Sequence, residues 1–259
     1  MKHTNRSKGG EIICLACVQL PGVMIPFEHV RNAAERNPDG CGYAFVHDGA
    51  TQVRRFLDWQ RMWGHYVDDW RDNPGSVFLM HFRWATHGSV ALRNCHPFPL
   101  AMGGALIHNG VLGIEGLNEG TSDTKFLTKN IVDKLPQGWV DQPWWRQVLT
   151  KYVGPNNKVA MLFDDGRYLI LNEKFGAWKD GIWYSNSSWE APKPVVVQPD
   201  DYDDLFAAYS AWDSRKDQDD CLDICPDCFD DMTAGHVCDV PVFVIRQLSS
   251  GHKNYGIVR

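Results

Sequence analysis

Five side chains that commonly bind metals are concentrated near the C-terminal end of the chain. Thiolate and imidazole ligands favour Zn²⁺ in tetrahedral sites, and such a site stabilises a small fold that lacks its own core. The spacing predicts a structural zinc site. A tetrahedral site takes four ligands, so one of the five candidates is spare. An acidic tail with incidental thiols is the alternative. The candidate ligands are Cys221, Cys225, Cys228, His236 and Cys238, of which Cys221 or His236 is the one to leave out.

A second set of reactive and polar residues lies in four short groups in the first half of the chain. Taken singly, each group has an ordinary structural explanation. An Asn-Gly pair is a strong hairpin-turn signal, and Ser-Asp-Thr before an apolar run is typical of a helix cap. Their order and spacing carry more information than any one group. The groups are HFRWATHGSV at 81–90, NCHPF at 94–98, HNG at 108–110 and SDT at 122–124.

Together with an early cysteine, these groups resemble the glutaminase domain of class II glutamine amidotransferases, over roughly residues 13–190. That family belongs to the N-terminal nucleophile hydrolases, which cut amides with the first residue of the mature chain. The resemblance implies that Cys14 is the nucleophile, because the segment 14–22 is similar to the opening strand and turn of family members. A free α-amino group, with a reference pKa of about 7.7–8.0, would then be the general base.

The resemblance also implies roles for the other groups. Asn109, through its side-chain amide, and Gly110, through its backbone N–H, resemble an oxyanion hole, whose donors are worth roughly 10²–10³ in rate. Arg83 resembles the arginine that binds the glutamine α-carboxylate, a bidentate task suited to a planar guanidinium. Asp123 resembles the carboxylate that binds the α-ammonium group. The supporting positions of the pocket are Trp84, Thr86, His87 and His96.

The N-terminus departs from the family pattern, because thirteen residues precede Cys14. Residues 1–13 are a leader or propeptide cleaved between Ile13 and Cys14, or translation starts further downstream, or the domain has lost hydrolysis and keeps its pocket for binding. We expect residues 1–13 to be removed or not translated. Cys17 is the reserve nucleophile, and on a regular strand it faces the opposite way to Cys14.

Apolar periodicity and turn signals predict the elements that position these residues. The pattern alone indicates an α+β class. The resemblance adds a four-layer αββα sandwich, the N-terminal nucleophile hydrolase fold, with a small C-terminal zinc-binding-like appendage. Predicted strands cover 11–20, 43–46, 53–57, 77–83, 105–108, 159–163, 168–172 and 183–185, with hairpins at 47–50 and 165–166, and predicted helices cover 26–37, 58–70, 121–135 and 142–153.

Composition limits the domain organisation and the partners. A net charge of −6 and an isoelectric point near 5.9 argue against nucleic-acid binding. No apolar run is long enough for a bilayer and no secretory signal is present, so we expect a cytoplasmic protein without membrane contact. The predicted segments are the leader (1–13), the amidotransferase-like domain (14–198), an acidic linker (199–220), a Cys-rich zinc module (221–240) and a tail (241–259).

The leading functional hypothesis is an enzyme that releases ammonia from glutamine or a related γ-glutamyl amide through a cysteine thioester. The chain contains no Gly-x₄-Gly-Lys-Ser/Thr nucleotide loop and no synthase-sized partner domain. We therefore expect either a separate synthase subunit that receives the ammonia or hydrolysis of a different amide. The alternatives are a non-catalytic ligand-binding or partner-docking protein and another amidase of the same superfamily.

Overall fold

The computed structural model describes most of the amidotransferase-like domain. All described residues belong to the first of the two units, Met1–Asp220 and Cys221–Arg259, into which the chain divides. The predicted leader, His87, the acidic linker and the five predicted zinc ligands lie outside the described residues and stay predictions. Among the residues that are described, no helix is long and apolar enough to cross a membrane. The described ranges are 14–86, 88–114, 117 and 120–191.

Ten strands form two antiparallel sheets. The first sheet has the order β3-β2-β4-β1-β10-β9 and the second β5-β6-β7-β8. The α+β class and the two antiparallel sheets are confirmed. The strands are β1 (Leu15–Gln19), β2 (Cys41–His47), β3 (Ala50–Phe56), β4 (Phe78–Phe82), β5 (Phe98–Pro99), β6 (Ala105–Asn109), β7 (Lys158–Leu162), β8 (Tyr168–Leu171), β9 (Ala177–Lys179) and β10 (Ile182–Tyr184).

Four α-helices cover the outer faces of the sheets. Asp58 caps the second helix by accepting hydrogen bonds from the backbone N–H groups of Gln60 and Arg61. Ser122 caps the third by accepting from Lys125 N at 3.1 Å, as its position before an apolar run predicts. The helices are α1 (Phe27–Arg36), α2 (Trp59–Asp72), α3 (Asp123–Phe126) and α4 (Pro143–Val153).

Strand β1 shows how the layers are stacked. Leu15 and Cys17 pack against the helix side of the first sheet, in a core shared with α1 and α2. Ala16 and Val18 point the other way, into a second core between the two sheets. A third core lies beneath α4 on the outer side of the second sheet. The described residues are thus arranged as helices, sheet, sheet and helices, with the period-2 alternation of β1 joining the first two cores.

Three details differ from the sequence predictions. The single helix predicted over 121–135 is broken, because α3 continues as a π turn (Leu127–Ile131) and a 3₁₀ turn (Val132–Lys134). Asn109-Gly110 is not a hairpin turn, since β6 pairs with β5 and β7 and the chain runs on to α3. The short strands β5 and β9 were not predicted. The hairpin at Asp48-Gly49 is confirmed, with positive φ at both residues.

Candidate active site

A small cavity opens where β1 begins and where β4 and β6 end. Seven of the nine predicted catalytic and substrate-binding residues line this cavity. Asn109 is fully buried next to it, and His87 lies outside the described residues. Sequence reasoning did not assign pocket-lining roles to His108, Ser122 and Thr124. The lining consists of Cys14, Arg83, Trp84, Thr86, His96, His108, Gly110, Ser122, Asp123 and Thr124.

Cys14 precedes β1 and places its thiol in the cavity wall. Its Sγ accepts a hydrogen bond from Trp84 N at 3.2 Å and donates to Trp84 O at 3.3 Å. Burial raises the pKa of the Cys14 thiol to about 11, although the hydrogen bond from Trp84 and the charge of Arg83 oppose the shift. At neutral pH the thiol therefore stays protonated, so nucleophilic attack requires a base.

Cys17 lies away from the cavity. Its side chain packs in the core between the first sheet and helices α1 and α2. Burial raises the pKa of its thiol further than that of Cys14. Cys41 and Cys95 are also buried, and all four described cysteines are free thiols. Of these four, Cys14 alone reaches the cavity.

Arg83 is held rigidly at the end of β4. Its backbone N donates to Gly40 O at 2.7 Å, and its backbone O accepts from Asp39 N at 3.0 Å. Its guanidinium donates to Ser89 O at 3.0 Å. The side chain is only 3% exposed, yet it lines the cavity. A buried and preorganised guanidinium in this position is suited to binding a carboxylate.

Asp123 supplies the opposite charge from the N-terminus of α3. Its Oδ2 accepts from Leu112 N at 2.8 Å, and its Oδ1 accepts from Thr124 N at 2.7 Å. Two backbone donors therefore hold the carboxylate in one orientation, and a helix N-terminus favours its negative charge. A cavity that presents both a guanidinium and a carboxylate can bind the two charged groups of an amino-acid head.

The side chain of Asn94 is hydrogen-bonded both to the loop after Arg83 and to the segment that leads into α3 and Asp123. Its Nδ2 donates to Ser89 O at 3.1 Å and to Gly120 O at 3.0 Å, and its Oδ1 accepts from Ser122 N at 3.3 Å. The side chain is completely buried. Because Ser89 also accepts from Arg83, the Asn94 amide connects the surroundings of Arg83 to the N-cap of α3. Sequence reasoning gave Asn94 no role.

The proton positions on two buried histidines follow from their partners. Asn157 Nδ2 donates to Val153 O at 2.7 Å, so its Oδ1 faces His108 Nε2 at 2.8 Å and accepts from it. His108 Nδ1, 2.8 Å from Thr124 Oγ1, is then an acceptor. His96 Nδ1 accepts from His108 N at 3.3 Å, so its proton is on Nε2. Both rings are neutral donors in the wall of the cavity.

A third histidine, His81, completes this cluster. Its Nε2 lies 2.9 Å from His108 O and its ring packs on that of His96, with centroids 3.9 Å apart. Burial lowers the pKa of His81 to about 3, and burial also lowers the pKa values of His96 and His108. At neutral pH these histidines orient their neighbours and do not exchange protons.

Protein stability should therefore fall steeply in mild acid. Unfolded His81 binds a proton below about pH 6.5, whereas folded His81 stays neutral down to about pH 3. Because the unfolded state binds more protons, stability decreases as the pH falls below about 6.5, and His81 alone accounts for about 2 kcal/mol by pH 5. His96 and His108 act in the same direction. Urea denaturation between pH 7.5 and 5 measures the effect.

The control for this prediction is the slope of stability against pH. His81→Gln should reduce the slope by about one proton, whatever its effect on stability at pH 7.5. An equal slope in the parent protein and in His81→Gln would contradict the assignment of a neutral buried His81.

Gly110 and Asn109 are positioned by close packing at the end of β6. Gly110 has φ +142°, and a Cβ there would collide with the side chain of Asn157. Asn109 Nδ2 lies 2.7 Å from Ser185 Oγ, which also accepts from Ala16 N at 2.9 Å. Ser185 and the neighbouring Asn186, which donates to Cys14 O at 3.0 Å, were not among the predicted site residues. Both lie in the segment 183–189, which resembles the closing segment of family members whose Asn and Ser residues lie near the pocket, with a polar strand end as the alternative.

Comparison with known proteins identifies relatives of this arrangement. Residues 11–171 match the family model described as glutamine amidotransferases class-II. Glutamine–fructose-6-phosphate aminotransferase (isomerizing) of Zymomonas mobilis is 33% identical over 186 residues, which is 66% of this chain and 30% of that protein. The protein of the same name from Gluconobacter oxydans is 27% identical over 179 residues, 64% of this chain and 29% of its own length. The chain thus spans less than a third of these relatives.

Proposed function

The chain belongs to the class II glutamine amidotransferases, and on that basis we propose that it hydrolyses the γ-amide of glutamine through a thioester on Cys14. One observation carries the proposal: a single cavity is lined by the Cys14 thiol, the Arg83 guanidinium and the Asp123 carboxylate. Arg83 would bind the α-carboxylate of glutamine and Asp123 its α-ammonium group. The side-chain amide would then face the thiol. The N-terminal nucleophile hydrolase fold is part of the same proposal.

The first half-reaction needs a base because the pKa of the Cys14 thiol is about 11. The buried histidines are poor bases, since burial lowers the pKa values of His81, His96 and His108, and both ring nitrogens of His108 are engaged in hydrogen bonds. In a chain that begins at Cys14, the α-amino group accepts the thiol proton. The sulfur attacks the carbonyl carbon of the γ-amide, and the oxyanion receives hydrogen bonds from Asn109 Nδ2 and Gly110 N.

Collapse of the tetrahedral intermediate breaks the C–N bond. The nitrogen takes the proton held by the α-amino group and leaves as ammonia, and a γ-glutamyl thioester remains on Cys14. In the second half-reaction the α-amino group takes a proton from water, and the resulting hydroxide attacks the thioester. The C–S bond breaks, the thiol regains its proton, and glutamate leaves. Glutamine and water are thereby converted to glutamate and ammonia.

The remaining parts of the proposal concern segments outside the described residues. A structural Zn²⁺ held by four of the five ligands between Cys221 and Cys238 would stabilise the C-terminal module and take no part in the chemistry. A separate synthase subunit would receive the ammonia, since the relatives named above are aminotransferases more than three times as long as the matched segment. We also propose a cytoplasmic location.

The experiment that tests the function uses a chain that begins at Cys14. We expect it to release ammonia and glutamate from glutamine in equal amounts, and hydroxylamine should trap the thioester as γ-glutamyl hydroxamate. The same chain with one additional glycine before Cys14 should be slower by at least about 10²-fold, because its α-amine is displaced. Intact mass of the protein from its native gene shows whether the N-terminus is Cys14.

The outcomes separate the rival functions. Activity on other amides with no response to glutamine would indicate a different amidase of the same superfamily. Glutamine binding without ammonia release, by a chain whose N-terminus is Cys14, would indicate a ligand-binding protein.

A further inference from the structure

Ser185, near the C-terminal end of the described residues, is hydrogen-bonded to Ala16, near their N-terminal end. It follows β10 and is 1% exposed. Its backbone N donates to Ala16 O at 2.9 Å, and its Oγ accepts from Ala16 N at 2.9 Å. A hydroxyl has one proton to donate and two lone pairs that accept. Ala16 uses one lone pair, so the hydroxyl proton of Ser185 remains for another partner.

That partner is the side-chain amide of Asn109, which is fully buried. With Nδ2 turned to Ser185, the hydroxyl oxygen accepts from two N–H groups. Within the described part of the chain, the Ser185 proton then has no acceptor, and Asn109 Oδ1 has no hydrogen-bond partner. This arrangement leaves two buried polar groups unsatisfied, which is costly.

Rotating the amide by 180° exchanges its nitrogen and oxygen without moving any other atom. The Ser185 hydroxyl then donates to Asn109 Oδ1 while it accepts from Ala16 N, so every group of Ser185 is satisfied. The separation of 2.7 Å fits this arrangement, because O–H···O bonds cluster near 2.7–2.8 Å and N–H···O bonds near 2.9–3.0 Å. The amide NH₂ then takes the position of the unpartnered oxygen.

We infer that Ser185 is a positioning residue that orients the Asn109 amide with its NH₂ available to the reacting carbonyl oxygen. This inference rests on the proposed function, in which that oxygen becomes an oxyanion. In the opposite orientation the amide would present an oxygen to the oxyanion, and like partial charges would repel. Gly110, the next residue, lines the cavity and is the second proposed donor.

The test is a double-mutant cycle in the chain that begins at Cys14. Asn109→Ala should lower kcat by about 10²–10³-fold. Ser185→Ala should lower kcat by about 10–10²-fold with little change in KM, because the amide loses its orientation and not its donor. In the Asn109→Ala background, the added Ser185→Ala change should lower kcat by less than about 3-fold, since its target is absent.

Two further variants serve as controls. Ser185→Thr keeps the hydroxyl and should retain kcat within about 10-fold of the parent, which separates loss of the hydroxyl from general damage. Ser187→Ala changes an exposed serine of the same segment and should match the parent chain. Thermal melting of each protein shows which variants are folded.

Each outcome decides between the proposals. Non-additive losses support the inference. An equal loss from Ser185→Ala in both backgrounds overturns it, because Ser185 would then act through Ala16 and β1 instead of the amide. Unchanged kcat in Ser185→Ala also overturns it. If the parent chain beginning at Cys14 releases no ammonia, the proposed function itself fails, and this inference with it.

Discussion

Cys14→Ala should lower ammonia release from glutamine by about 10⁴-fold or more, to the uncatalysed background. The reason is that no other described cysteine reaches the cavity, and Cys17 is buried on the opposite face of β1. Glutamine should still bind to the variant, because the charged groups of Arg83 and Asp123 are intact. Initial rates of ammonia release and calorimetric titration with glutamine measure the two effects.

The matched control is Cys17→Ala. It removes a thiol three residues away without touching the cavity, so its kcat should stay within about 3-fold of the parent. Full activity in Cys14→Ala, with loss in Cys17→Ala, would make Cys17 the nucleophile and would require a different arrangement of β1.

Arg83→Met should raise KM for glutamine by about 10²–10³-fold, which corresponds to about 3–4 kcal/mol for a buried charge pair whose partner is removed. Arg83 is almost fully buried in the cavity wall, so bulk water does not screen its pairing with the substrate carboxylate. The measurement is kcat/KM for glutamine compared with 4-aminobutanamide, which is glutamine without its α-carboxylate. The substitution should hardly affect hydrolysis of 4-aminobutanamide.

One control variant and one contrary outcome test this prediction. Arg93→Met removes an exposed arginine that contacts the Ser89 side chain from the same loop, and it should leave KM unchanged. Equal losses on both substrates in Arg83→Met would show that Arg83 supports the loop and does not bind the carboxylate.

Local sequence signals predicted the elements of the fold but not its breaks. The buried apolar run of β1, the Asp48-Gly49 hairpin and the Ser122 cap depend on neighbours along the chain, so their patterns were sufficient. The break after α3 was not predictable from apolar spacing. There Thr128 Oγ1 donates to Thr124 O at 2.9 Å, and such bonds to the preceding turn often distort helices.

The candidate site likewise combines features that the sequence predicted with contacts that it did not. Motif order brought the thiol, the guanidinium and the carboxylate into consideration, and the structure places all three around one cavity. The resemblance of the segment 183–189 indicated Ser185 as a residue near the pocket, but the contacts of Asn94 and Ser185 join distant segments and do not follow from residue type. Asn109 shows the limit clearly, because its Asn-Gly pair predicts a hairpin turn, whereas β6 pairs with β5 and β7 and Gly110 lines the cavity.

Strand β1 lies in the middle of the first sheet, with β4 on one side and β10 on the other. During synthesis on the ribosome, β1 therefore cannot pair with β10 until residues 182–184 have been made. Such distant pairing slows folding. The family match ends at residue 171, so a fragment trimmed to that boundary would leave one edge of β1 bare and prone to aggregation. The smallest autonomous fragment should extend through Trp189, which stacks on Tyr184 and packs against His29.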